Sequence, residues 1–221
     1  MERASIMLNR LRHDESGITL TELMVAGAMA AIISSAFLLV FSSFNRSVSL
    51  EEARATSLRE VQAAIADLSV ELRQAIPLTD GSFAVASLEA GWPAPELVFY
   101  SDRAREAPGP ERYRYYVGRC SGNLCDLMRD VTVADAGGPP WTYSAAANSR
   151  RVVANVLSDG GPLFQGADWS TGSEVLTTSC GVGAACEFSL VQIVVRVDPD
   201  PKTSAEEPLQ VRREVRPRNA P

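Results

Sequence analysis

The chain has 221 residues, 46% hydrophobic and 22% charged, which is enough apolar material for a buried core and too regular a mixture for a disordered tail. Its 21 basic and 27 acidic residues leave a net charge of −6, which argues against a protein that coats nucleic acid through its overall field. His13 is the only histidine and Lys202 the only lysine, so histidine triads, histidine-rich metal sites and a phosphate-loop lysine have almost no residues to draw on.

Residues 1–17 form a polar leader in which Arg3, Arg10 and Arg12 balance Glu2, Asp14 and Glu15. Residues 18–44 follow as an apolar run whose one charge is Glu22. The 22 residues from Leu23 to Phe44 carry none. As a helix they span roughly 33 Å, enough for a hydrocarbon core of about 30 Å. Arg10 and Arg12 beside this run predict that its start stays in the cytoplasm and that the rest is exported. Over residues 45–76 the spacing stays helical: Leu58, Val61, Ile65, Leu68, Leu72 and Ile76 recur every three or four positions. Arg59, Glu60, Asp67, Glu71 and Arg73 are expected on the other, polar face. Pro77 is expected to stop this helix, which reads as one element with the membrane run.

Beyond it the texture changes to short β-rich runs between Gly, Pro, Asn and Asp, at 96–100, 112–117, 124–129, 151–157, 187–197 and 209–216. Val191, Ile193, Val195 and Val197 make one fully apolar face. The expected fold is α+β, with one long N-terminal helix, transmembrane and then amphipathic, packed on an antiparallel β-sheet head. The expected organisation is a leader over 1–17, a membrane helix over 18–44, its amphipathic continuation over 45–76 and a head over 77–218. Residues 198–208 read as a polar loop in that head. Asp198, Asp200, Glu206 and Glu207 within it lack the alternating oxygen ligands of a calcium loop and read as solvated surface.

Four cysteines sit as two close pairs beyond the membrane run, where disulfides are permitted. Between Cys120 and Cys125, Gly122-Asn123 reads as a two-residue II′ hairpin turn, which sets Ser121 against Leu124 and Cys120 against Cys125, within disulfide range. Cys180 and Cys186 would close a second, glycine-containing loop. A four-thiolate zinc site is the competing reading, although the gaps depart from the usual ligand spacing. Arg212, Arg213, Arg216 and Arg218 form a basic cluster offset by Glu214 alone. It suits DNA or another anionic partner, or else the guarded solvent side of an edge strand.

The end of the leader, Gly17-Ile18-Thr19-Leu20-Thr21-Glu22-Leu23-Met24-Val25, resembles the type IV prepilin signature. That resemblance implies a membrane peptidase that cuts after Gly17 and methylates Ile18 as the new N-terminal residue. Ile18 stands where phenylalanine is most usual and Thr21 where an aliphatic residue is common, but the Gly and the Glu are both in place. Glu22 asks for an explanation on physical grounds too, since a carboxylate in an apolar helix costs roughly 2.5 to 3.5 kcal/mol on insertion scales. In the family its proposed partner is the N-terminal amine of an adjacent subunit, a charge created only by cleavage. The alternatives are a carboxylate snorkelling to the interface beside a plain signal anchor, and a conventional signal peptide cut near Ala26-Gly27-Ala28. Gly27, Ala31 and Ser35 repeat every four residues, a stripe that lets neighbouring helices approach or one that follows from the frequency of small residues in membrane helices.

The order of elements, from the long helix through a Tyr-rich strand and hairpin to a final strand near residue 213, is similar to that of W-type minor pilins and J-type pseudopilins. The expectation that follows is a minor pilin, a non-enzymatic subunit of a type IV pilus tip or priming complex, with no cofactor or metal. A J-type pseudopilin of a type II secretion system is the near alternative, and a membrane-anchored receptor or adhesin the distant one. No constellation of base, nucleophile and orienter is visible in the sequence. Expected partners are the prepilin peptidase, other minor and major pilins or pseudopilins, and the inner membrane that the helix crosses with the head outside the cytoplasm.

Overall fold

A computed structural model of the chain describes residues 18–77, 85–92, 94–103, 108–135, 138–159, 161–168, 175–177, 179–180, 189–201 and 207–217. The leader expected over 1–17 lies outside the described residues. The chain divides into two compact units, Met1–Ser49 and Leu50–Pro221. A single helix, α1 (Leu20–Arg73), runs from the first into the second over 54 residues. In the first unit every described residue is exposed, Phe37 and Phe41 stacking on each other one turn apart with ring centroids 6.2 Å apart.

In the second unit α1 becomes one-sided, burying Val61, Ala64, Ile65, Leu68 and Leu72. Leu58 remains exposed and Ile76 is half-buried, so the apolar stripe is shorter than its spacing implied. The helix also ends four residues before Pro77. Proline disfavours helical backbone at the residue preceding it, and Ile76 instead donates its N–H to the Tyr100 carbonyl at 2.8 Å while Ala75 bridges Ser101. The last turn tightens to make the exit, with the Gln74 N–H shared between the carbonyls of Val70 and Glu71.

Among the described residues the head is an antiparallel sheet of ten strands. Strands β1 (Val85–Glu89), β2 (Glu96–Ser101), β3 (Glu111–Ser121), β4 (Leu124–Thr132) and β5 (Asn148–Leu157) form a meander. They are followed by β6 (Phe164–Asp168), β7 (Val175–Thr177), β8 (Ser179–Cys180), β9 (Leu190–Val197) and β10 (Leu209–Val215). β9 is the hub. One of its edges pairs with β10 from Leu209↔Val197 to Val215↔Val191, and the other pairs with β6 and, at Val156↔Val197, with β5. Because β6 also pairs with β7 while β8 pairs with β1, the order of pairings returns on itself and the sheet is curled. The inward faces of β9, β2 and β3 put Val191, Ile193, Val195, Leu97, Phe99, Tyr113 and Tyr115 into one core with the helix stripe. Phe99 stacks on Tyr113 and Tyr115 with ring centroids 5.4 and 6.3 Å apart.

The fold is therefore α+β, a long N-terminal helix packed on an antiparallel sheet, as the hydrophobic periods require. β1, β6, β7 and β8 go beyond the expected strands. β6 spans only five residues and contains Gly166, so it carries little strand signal of its own; burial of Phe164 and Ala167 against β9 creates it.

Candidate functional site

The first turn of α1 places the residues of the leader junction. Thr19 is the N-cap: its Oγ1 accepts the Glu22 N–H at 3.3 Å, and Glu22 Oε2 accepts the Thr19 N–H at 3.0 Å. This reciprocal pair is a capping box, and the Thr19 hydroxyl adds a further bond to the same carboxylate oxygen at 3.0 Å. Thr19-x-x-Glu22 is a spacing that the sequence itself displays as a cap. Glu22 thus has a local role in starting the helix, at the end where the helix dipole favours an anion.

Ile18 is exposed, and Gly17 lies outside the described residues. Gly27, Ala31 and Ser35 share one exposed face by their spacing. A Cβ at Gly27 would meet nothing within 4 Å, and Ser35 Oγ is turned to the Ile32 carbonyl at 2.8 Å. No contact within the described chain calls for small residues there. The helix is long and apolar enough to cross a membrane, with a mean hydropathy of 2.4 over its most apolar stretch and none of that stretch buried.

The head contains a polar centre that periodicity did not reveal. Glu71, expected on the solvent face of α1, is fully buried. It follows Leu68 by three positions and precedes Leu72 by one, which puts it on the buried stripe. Its carboxylate accepts from the Tyr115 hydroxyl at 2.6 Å and from Arg103 at 2.9 Å, and it pairs with Arg129. Tyr115 and Arg129 are direct cross-strand partners on β3 and β4, so the strand register delivers both to the same acid. The Arg129 guanidinium also lies 5.2 Å from the Tyr113 ring centroid, and the Tyr113 hydroxyl donates to Glu111 at 2.7 Å.

Glu71, Arg103, Glu111, Tyr113 and Arg129, with Asp67 and Arg150, line a cleft of about 370 Å³. Three acids and three arginines meet there, which makes the cleft a tie between helix and sheet with no excess of either sign. Burial pushes the Glu71 carboxyl above its ordinary range, against the opposing pull of the Tyr115 hydroxyl and the two arginines. The native head therefore takes up this proton more readily than the unfolded chain. Its contribution to stability is full below the ordinary carboxylate range and declines as pH rises towards the folded value. Glu71→Gln should flatten that decline in a pH series of thermal melts, and an unchanged slope would contradict the assignment.

Among the cysteines, Cys120 and Cys125 are joined, with their Cα atoms 4.0 Å apart. Ser121 faces Leu124 as expected, and Gly122 takes the positive φ of 63° that the turn requires. One detail differs: Arg119 adopts a φ of 53°, and the ladder shifts so that Arg119 and Cys120 together oppose Cys125, a β-bulge. The bonded pair removes two of the four thiolates a zinc site would need. Cys180 is also disulfide-bonded, and Cys186 lies outside the described residues. Cys120→Ser should cost about 2 kcal/mol, the closure entropy of so short a loop, as read by denaturant unfolding with and without reductant.

Arg212 and Arg213 of the basic cluster fall on β10, which among the described residues pairs only with β9. Arg212 pairs with Glu214 at 3.0 Å; Arg213 and Arg216 are exposed, and Arg218 lies outside the described residues. Arg212 and Arg213 are thus exposed on an edge strand, on its two opposite faces. No protein-family model, curated protein or solved structure matches the chain.

Proposed function

We propose that this chain is a minor pilin, a non-enzymatic subunit that is cut after Gly17, methylated at Ile18 and recruited through its apolar helix into the tip or priming complex of a type IV pilus. The observation that carries the reading is the junction itself: in sequence Gly17 and Ile18 precede, and Glu22 lies in the first turn of, a 54-residue helix whose apolar part is unburied in its own chain. Such a helix is suited to a bilayer before assembly and to a bundle of like helices after it. The unexplained Gly27, Ala31 and Ser35 stripe fits the second environment. The Cys120–Cys125 disulfide supports a head outside the cytoplasm, in an oxidising compartment.

Co-expression with a prepilin peptidase in an inner membrane tests the reading. The wild-type chain should shorten by its leader, and Gly17→Val should remain at precursor length with the head still folded. Equal processing of both would place the cut elsewhere and contradict the assignment.

A further inference from the structure

We propose that the edge of β10 left unpaired among the described residues takes up an extended acidic segment of a partner protein, which adds as a further strand and lays its alternate side chains over a groove between β10 and helix α1. This inference does not rest on the function proposed above. The groove, of about 330 Å³, is lined by Gln62, Ile65 and Ala66 of the helix and by Val211, Arg212 and Arg213 of the strand. Leu209, Val211, Arg213 and Val215 are the β10 residues opposite Val197, Val195, Ile193 and Val191, the core-facing row of β9. Three of these four are apolar. Arg213 is exposed at a position whose neighbours in the row face the core, and an inward-pointing charge on an edge strand is a guard against indiscriminate pairing.

The surrounding charge selects the occupant. Arg59 and Arg73 lie seven residues before and after Ala66, hence on the same helix row, and both are exposed. The acids of this stretch are turned to the sheet instead: Glu60 accepts the Ala154 N–H at 3.2 Å, Asp67 pairs with Arg150 at 3.3 Å, and Glu71 is held by Arg129. The groove side therefore carries cations from both elements, with Glu214 engaged by Arg212. A second copy of the chain is a poor occupant. Antiparallel self-pairing centred on β10 sets Arg212 against Arg212 or Arg213, and like charges directly opposite are destabilising. A segment that alternates carboxylates with apolar residues turns all its carboxylates to one face, and with that face over the groove they meet Arg213 and the helix row of Arg59 and Arg73. Its backbone completes the ladder, and its acids neutralise the guard that repels other strands.

The test uses the full-length chain in detergent and two seven-residue probes, one alternating Glu with Val and one alternating Lys with Val. The Glu/Val peptide should bind at least about tenfold more tightly by fluorescence anisotropy, and should slow amide exchange across residues 209–215. Arg213→Glu, an exposed change, should reverse the preference between the two peptides. Absent binding of the Glu/Val peptide, equal binding of both peptides, or protection that spares β10 would overturn the proposal. Self-association of the chain through β10 without peptide would overturn it in favour of a second copy.

Discussion

Replacing Glu71 with Ala is expected to lower the stability of the head by about 3 to 5 kcal/mol, measured by denaturant unfolding of the full-length chain in detergent. Ionised Glu71 is not in itself a source of great stability, since burial opposes its charge. The cost arises from what its removal leaves behind. Arg129, with a side chain only 14% exposed, would keep its charge without a counter-ion, and the buried Tyr115 hydroxyl would lose its acceptor. Glu71→Gln retains an acceptor for Tyr115 and should cost less. The double change Glu71→Leu with Arg129→Met should recover much of the loss, because apolar replacement of both partners removes the orphaned charge together with its mate. A loss below about 1 kcal/mol for Glu71→Ala would mean that solvent reaches the site and that the tie between helix and sheet lies elsewhere.

On the proposed function, replacing Glu22 should leave the protein in the membrane and abolish its entry into a complex with minor pilins. The capping box makes the choice of substitution decisive. Glu22→Ala removes both the charge and the bond to the Thr19 N–H, so fraying of the first turn would confuse its outcome. Glu22→Gln keeps a side-chain acceptor at the same position and removes only the charge. If the carboxylate answers the N-terminal amine of a neighbouring subunit, Gln should fail in co-purification and in pilus formation as completely as Ala. If capping is its whole role, Gln should behave as wild type and Ala should show only a modest defect. Membrane insertion should improve or stay level in both variants, since each removes a charge from the apolar segment.

The contrast between Glu22 and Glu71 shows how far the sequence could be read. Period-2 alternation places β9 with its Val191 to Val197 face inward, and β-rich runs bounded by Gly, Pro, Asn and Asp locate β2, β3, β4, β5 and β10. The turn at Gly122-Asn123 was legible because only a few residue types accept its backbone angles. The accompanying bulge was not, since the left-handed residue is Arg119 and the glycine sits one position earlier at Gly118. A charge in a helical repeat ordinarily marks the solvent face, and the buried Glu71 departs from that rule. Its partners Tyr115, Arg129 and Arg103 lie 44, 58 and 32 residues away, so no local pattern could show that the acid would be satisfied inside. At Glu22 the reverse holds: its observed partner is local, the Thr19 cap three residues away. β6 and β8 are made by pairing with strands distant in sequence, and such pairing leaves little trace in short segments.

The central claim, that this chain is a processed pilus subunit, is tested most directly by the N-terminus of the protein isolated from membranes that contain its peptidase. Mass spectrometry of that terminus should find a chain that begins at Ile18 and carries one added methyl group. A chain that still begins at Met1, or one that begins after Ala28, would contradict the claim and leave an anchored or secreted head in its place.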